Sequence, residues 1–178
     1  SAEPEAQQAI MGADGVPALV GAAQAAAAED PEARAAASLV LARLAAPPHT
    51  EKVSDGHGTP VLIEALQERS GSFGAELALA AAGALQHLVG TAKGKEALLE
   101  GGVRPVVALL QPGVEASTRQ HALAVLQVLV AEAEGRRAVG GAGAAVPLVR
   151  IAEADGEDAS RGGGAETADK KREARAAY

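Results

Sequence analysis

A chain of 178 residues that is 48% hydrophobic can fill a core, yet it has one Phe, one Tyr and no Trp. Its interior must therefore be built from Ala, Leu and Val, which suit closely packed helices better than a sheet sandwich. The formal charge of −7 argues against nucleic-acid binding, which draws on Lys and Arg to neutralise phosphates, and the lack of cysteine excludes disulfide scaffolds and thiolate metal sites.

Taken in chain order, the elements begin with "EAQQAIMGAD" from Glu5, a short helical pattern without the basic and apolar regions of a signal peptide before it. A corner follows, "DGVPALVGAAQ" from Asp14, in which Gly precedes Pro17 and an apolar helix pattern starts at once. Gly tolerates the left-handed conformation that closes a helix, and Pro is favoured in the first turn of the next, so the corner predicts a helix end followed by a helix start. "PEARAAASLVLARLA" then predicts a long helix over 31–46, with Asp30 as its N-cap and Pro31 at its first position.

The same grammar recurs. "HTEKVSD" is the weakest of the short helices; "GHGTPVLIEALQ" from Gly56 is the second corner, and a long helix is expected over 73–90. "GKEALLEGG", the corner "EGGVRPVVALLQ" and a long helix over 115–132 form the third copy; "GRRAVGGAG" and "GAGAAVPLVRIAE" open a fourth. The corner prolines are Pro17, Pro60, Pro105 and Pro147, at intervals of 43, 45 and 42 residues. Each long helix carries an Ala-Leu-Leu stripe at i, i+4, i+7: Ala37, Leu41 and Leu44; Ala81, Leu85 and Leu88; Ala122, Leu126 and Leu129. One such unit cannot bury its own apolar face, so the copies must stack.

Two glycine-rich stretches imitate phosphate loops. "GGAGAAVPLV" from Gly140 follows charged residues instead of a buried strand, and it is the fourth copy of the corner. "GTAKGKEALL" from Gly90 has its glycines too close together and Glu96 where a Ser or Thr is required; it reads as a loop and a short helix. His49, His57, His87 and His121 show no metal-ligand spacing, and no nucleophile and base or paired carboxylates stand out. No catalytic residue, metal or cofactor is expected, and the chain is read as not being an enzyme.

A short helix, a corner, "GxIPxLVxLL" and "VREAAAxALxNLA" make up the consensus of the armadillo repeat, which residues 1–155 resemble over about three and a half copies; HEAT repeats are the near relative. The resemblance implies an all-α fold, a right-handed superhelical solenoid, and a noncatalytic scaffold that holds a protein or peptide segment along the groove of its long helices, within a larger protein or assembly. A second reading is a substrate-recruiting module of a larger enzyme such as a ubiquitin ligase or kinase. By resemblance the groove site lies just before the last Leu of each long helix, at Arg43, His87 and Val128. The positions three residues earlier are Val40, Ala84 and Val125, and His121 lies further back. Armadillo proteins that import nuclear cargo place Asn and Trp at these two positions, so nuclear-signal binding is not expected here. Arg43 is the charged anchor, since a guanidinium forks onto carboxylates or carbonyls.

Residues 156–164 read as a flexible polar insertion, and 165–178 as the start of a further long helix that the sequence leaves truncated, with more repeats expected on either side. Pro, Gly or charge interrupts each apolar run before it reaches the roughly 18 residues of a membrane span. An intracellular protein is expected, cytoplasmic first, with nuclear or ciliary placement as alternatives.

Overall fold

The computed structural model describes residues 2–12, 14–25, 30–67 and 74–153. The chain divides into two compact units, Ser1–Gly143 and Ala144–Tyr178. The first holds ten α-helices among its described residues: α1 (Ala2–Gly12), α2 (Gly15–Ala25), α3 (Pro31–Leu44), α4 (Thr50–Asp55), α5 (Gly58–Ala65), α6 (Gly74–Leu88), α7 (Ala92–Ala97), α8 (Val103–Ala108), α9 (Ala116–Leu129) and α10 (Ala133–Gly141). A π-helical turn, Leu98–Gly102, joins α7 to α8. In the second unit residues 145–153 form a helix, and the sequence expectations for 156–164 and 165–178 lie outside the described residues. No strand occurs among the described residues.

The order short, middle, long repeats three times and fixes the packing. Each middle helix packs on the long helix that follows it (α2 on α3, α5 on α6, α8 on α9), and the long helices stack with α6 between α3 and α9. The middle helices also meet in series, α2 with α5 and α5 with α8. All nine residues of the Ala-Leu-Leu stripes are buried, with Leu41, Leu85, Leu88, Ala81 and Ala122 fully so. Because a stripe at i, i+4, i+7 covers one side of a helix, the three stripes form one continuous interior against the middle layer.

The capping chemistry is local. Asp30 takes an extended conformation and its Oδ1 accepts from the backbone N–H groups of Glu32 (3.1 Å) and Ala33 (3.0 Å), with Pro31 in the first turn. Thr91 caps α7 in the same way, accepting from Gly94 N at 3.0 Å while its hydroxyl donates to Leu88 O at 2.8 Å. Its only proton is then in use, so in the buried 2.7 Å contact between Ser54 and Thr91 the Ser54 hydroxyl is the donor. This contact ties the second short helix to the third. Ion pairs follow the same rule: Arg34–Glu64, Arg43–Glu76, Lys93–Asp55 and Lys95–Glu132 each join one repeat to the next.

The corners correct the expectation of a left-handed glycine. At the first and second corners the residues with positive φ are Asp14 (51°) and His57 (61°), and the glycines come one step later, at the start of the middle helix. There they serve close approach. A Cβ on Gly15 would overlap the carbonyl oxygen of Ile10, and one on Gly58 would lie 2.9 Å from that of Val53 and 2.6 Å from its Cγ1. The third corner has no left-handed residue at all: Gly102 sits at φ −85°, and the π-helical turn carries the backbone from α7 into α8 without a break. A Cβ on Gly102 would stand 2.9 Å from Ile63 Cδ1, so this glycine lets α5 pack close. Only the fourth corner follows the expected pattern, with Gly143 at φ 76° just after α10.

The long helices also stop short of the expected 46, 90 and 132. Their last residues relax into terminal turns that still bond back, Ala45 N to Leu41 O, Val89 N to Leu85 O and Val130 N to Leu126 O.

Candidate partner-binding face

Aligning the three long helices on their stripes separates each into a buried side, two flanks and an outer side. Arg43, His87 and Val128 occupy the same outer position and are exposed in all three. The residues four and seven places earlier share that side: Leu39, Gly83 and Ala124 are half-buried, while Ala36 is exposed and Ala80 and His121 are half-buried. Together they make a track across α3, α6 and α9, apolar along its middle with one cation and two imidazoles.

Val40, Ala84 and Val125 do not belong to it. Ala84 is 3% exposed and Val125 fully buried, whereas Val40 is half-buried. These positions lie on the flank that meets the preceding long helix: α6 has α3 against it and α9 has α6, while no long helix precedes α3 among the described residues. A partner reaching the outer side would touch Val40 at most, and Ala84 and Val125 are part of the stacking contact.

Two contacts cross between helices on the outer side. Arg43 Nη2 lies 3.5 Å from Glu76 Oε1 at the start of α6, with both side chains more than half exposed. Such an exposed pair is weak, so the guanidinium can exchange its partner for another carboxylate. His121 Nδ1 lies 2.6 Å from Gln86 Oε1 on α6, and its ring rests over Gly83, where an added Cβ would come within 3.6 Å of Nε2. With Nδ1 donating to Gln86, Nε2 is the ring atom left for a visitor. Leu39, Gly83 and Ala124 follow from Arg43, His87 and Val128 by one helical step of four once the outer side is known, whereas Glu76 and Gln86 are set by the register between neighbouring helices.

Among the described residues no group of three or more His, Asp or Glu comes together in a way that would hold a metal ion. A separate cavity is lined by Gly74, Ala78, Leu109, Val114, Glu115 and Thr118, and Glu115 Oε1 accepts from Ser117 Oγ at 2.8 Å. No helix among the described residues is long and apolar enough to cross a membrane. In comparisons with known proteins, no family model and no curated protein matches the chain.

Proposed function

We propose that this chain is an armadillo-like repeat module, a right-handed superhelical array acting as a noncatalytic scaffold that holds an extended segment or a helix of a partner protein along the outer side of its long helices. The observation that carries the reading is the constancy of that side. Three successive long helices keep the same position open, at Arg43, His87 and Val128, although the residue type changes each time. The four proline corners at one period and the short, middle and long order support the armadillo assignment over a general helical bundle. The track favours a partner segment with apolar side chains at its centre and a carboxylate able to displace Glu76 from Arg43, since a guanidinium binds carboxylates through two donors.

Affinity capture followed by mass spectrometry identifies candidate partners, and binding of each is then measured against point variants. Arg43→Glu is expected to weaken a true groove ligand by at least about tenfold, roughly 1.4 kcal/mol. Arg137→Glu, a charge swap on the exposed surface of α10, should leave it unchanged. Equal effects of the two would remove the outer side as the binding surface.

A further inference from the structure

We propose, resting on the reading of the outer side as the binding surface, that Gln86 and His121 act together as a clamp for peptide backbone, so that this surface takes an extended segment of a partner protein and rejects a helix. The pair bridges the furrow between α6 and α9. His121 Nδ1 lies 2.6 Å from Gln86 Oε1; an amide oxygen only accepts, so the imidazole donates. That one bond decides which atoms each side chain has left. Gln86, exposed near the end of α6, keeps the two donors of its amide nitrogen. His121, half-buried on α9, keeps Nε2, which accepts while the ring is neutral. Donors and an acceptor thus stand side by side, and because the two side chains hold each other, less rotamer freedom is lost when a ligand arrives.

Peptide backbone offers the matching C=O and N–H only where it is extended. In a helix those groups are bonded to one another except at the ends, so a helical ligand would meet the clamp with side chains alone. Gly83 lies beside the pair. The nearest atoms a Cβ on it would meet are those of the His121 ring, at 3.6 to 3.8 Å, an ordinary contact, whereas a Cβ on Gly94 or Gly135 would overlap a carbonyl oxygen. Neither collision nor a positive φ demands glycine at position 83, and a bare Cα at the centre of the track lets a ligand backbone come close to the helix. The other bridge on this side joins Arg43 to Glu76. Glu76 and Gln86 are ten residues apart on α6, about 15 Å along its axis, which is about five residues of extended chain. The fitting segment therefore carries a carboxylate for Arg43 about five residues from the peptide unit that the clamp holds.

Random peptides of about twelve residues, displayed on phage and selected on the full wild-type chain, are the probes, and fluorescence anisotropy measures each enriched peptide on the variants. Gln86→Met removes the amide without adding charge and is expected to weaken binding about tenfold, as the loss of one or two ligand hydrogen bonds does. Methylating one backbone nitrogen of the peptide, about five residues from its Asp or Glu, should do the same. Gln111→Met, on the exposed turn after α8, should change nothing, and isotope-edited infrared spectra should show the bound peptide extended. Should Gln86→Met fail to fold, Gln86→Glu, which keeps an acceptor for His121 and loses both donors, gives the same comparison. Peptides that bind as helices, or that lose affinity on Arg43→Glu and not on Gln86→Met, overturn the clamp and leave the outer side as the binding surface. Peptides indifferent to both substitutions, or a selection that enriches none, overturn the clamp and the binding surface together.

Discussion

Replacing Leu85 by Ala removes three carbons from a side chain that is fully buried in α6, the long helix with a neighbour on both flanks. At about 0.8 kcal/mol per methylene-sized group, the lost transfer free energy alone is about 2.5 kcal/mol. A cavity adds to this in proportion to what the surroundings fail to fill. Around Leu85 the helix offers Ala81, Ala82 and Ala84, whose side chains are too short to move in. The total is therefore expected in the upper part of the usual range, about 3 to 5 kcal/mol. Urea unfolding followed by far-ultraviolet circular dichroism measures it, with Arg43→Ala as the comparison. Arg43 is exposed and its pair with Glu76 is weak, so its removal should cost no more than about 0.5 kcal/mol. A loss at Leu85 below about 1 kcal/mol, or losses of equal size at the two sites, would show that the stripe does not form the interior.

Gly94→Ala should destabilise the chain by well over 1 kcal/mol, because the new Cβ overlaps the Leu88 carbonyl oxygen and stands 2.6 Å from Thr91 Oγ1. Gly21→Ala, in open space on α2, should stabilise by about 0.5 to 1 kcal/mol; thermal melts of the two variants must move in opposite directions. Thr91→Val removes a cap and strands the Ser54 hydroxyl and the Gly94 N–H, at an expected cost of about 1 to 3 kcal/mol. Thr91→Ser should restore most of it, and a denaturation series in which Val and Ser behave alike would disprove the hydrogen-bond account. Ser38→Ala is expected to be neutral or stabilising, since the Ser38 hydroxyl is buried without a hydrogen-bond partner among the described residues and its removal relieves an unmet desolvation cost; a loss above about 1 kcal/mol in the same assay would count against this.

The period, the helical class and the buried stripe were legible because each rests on side-chain type at fixed spacing. Asp30 and Pro31 were legible as a helix start for the same reason. The corners were misread because Gly before Pro is compatible with two uses of glycine. One is a left-handed backbone, the other is room beside a carbonyl, and only the path of the preceding helix distinguishes them. Asp14 and His57 carry the left-handed turn; both types enter that conformation more readily than other non-glycine residues, but a neighbouring glycine is the stronger candidate by residue type. The π-helical turn at Leu98–Gly102 leaves no mark in apolar spacing that a one-residue slip would not also explain. On the long helices, Val40, Ala84 and Val125 stand one residue's rotation away from Leu39, Gly83 and Ala124. That step of about 100° separates a packed flank from an open surface, and it is decided by where the neighbouring helix lies. The pairing of Arg43 with Glu76 spans 33 residues and depends on the stacking register.

Four ion pairs among the described residues have a consequence for how the molecule comes apart. On the repeat-array reading proposed above, stability is the sum of what each unit contributes by itself and what each boundary contributes. Arg34–Glu64, Arg43–Glu76, Lys93–Asp55 and Lys95–Glu132 all sit on boundaries, so charge screening weakens the coupling between units and leaves their intrinsic terms nearly untouched. Each pair contributes at most about 1 kcal/mol, but coupling sets cooperativity as well as midpoint. Added salt should broaden the unfolding transition.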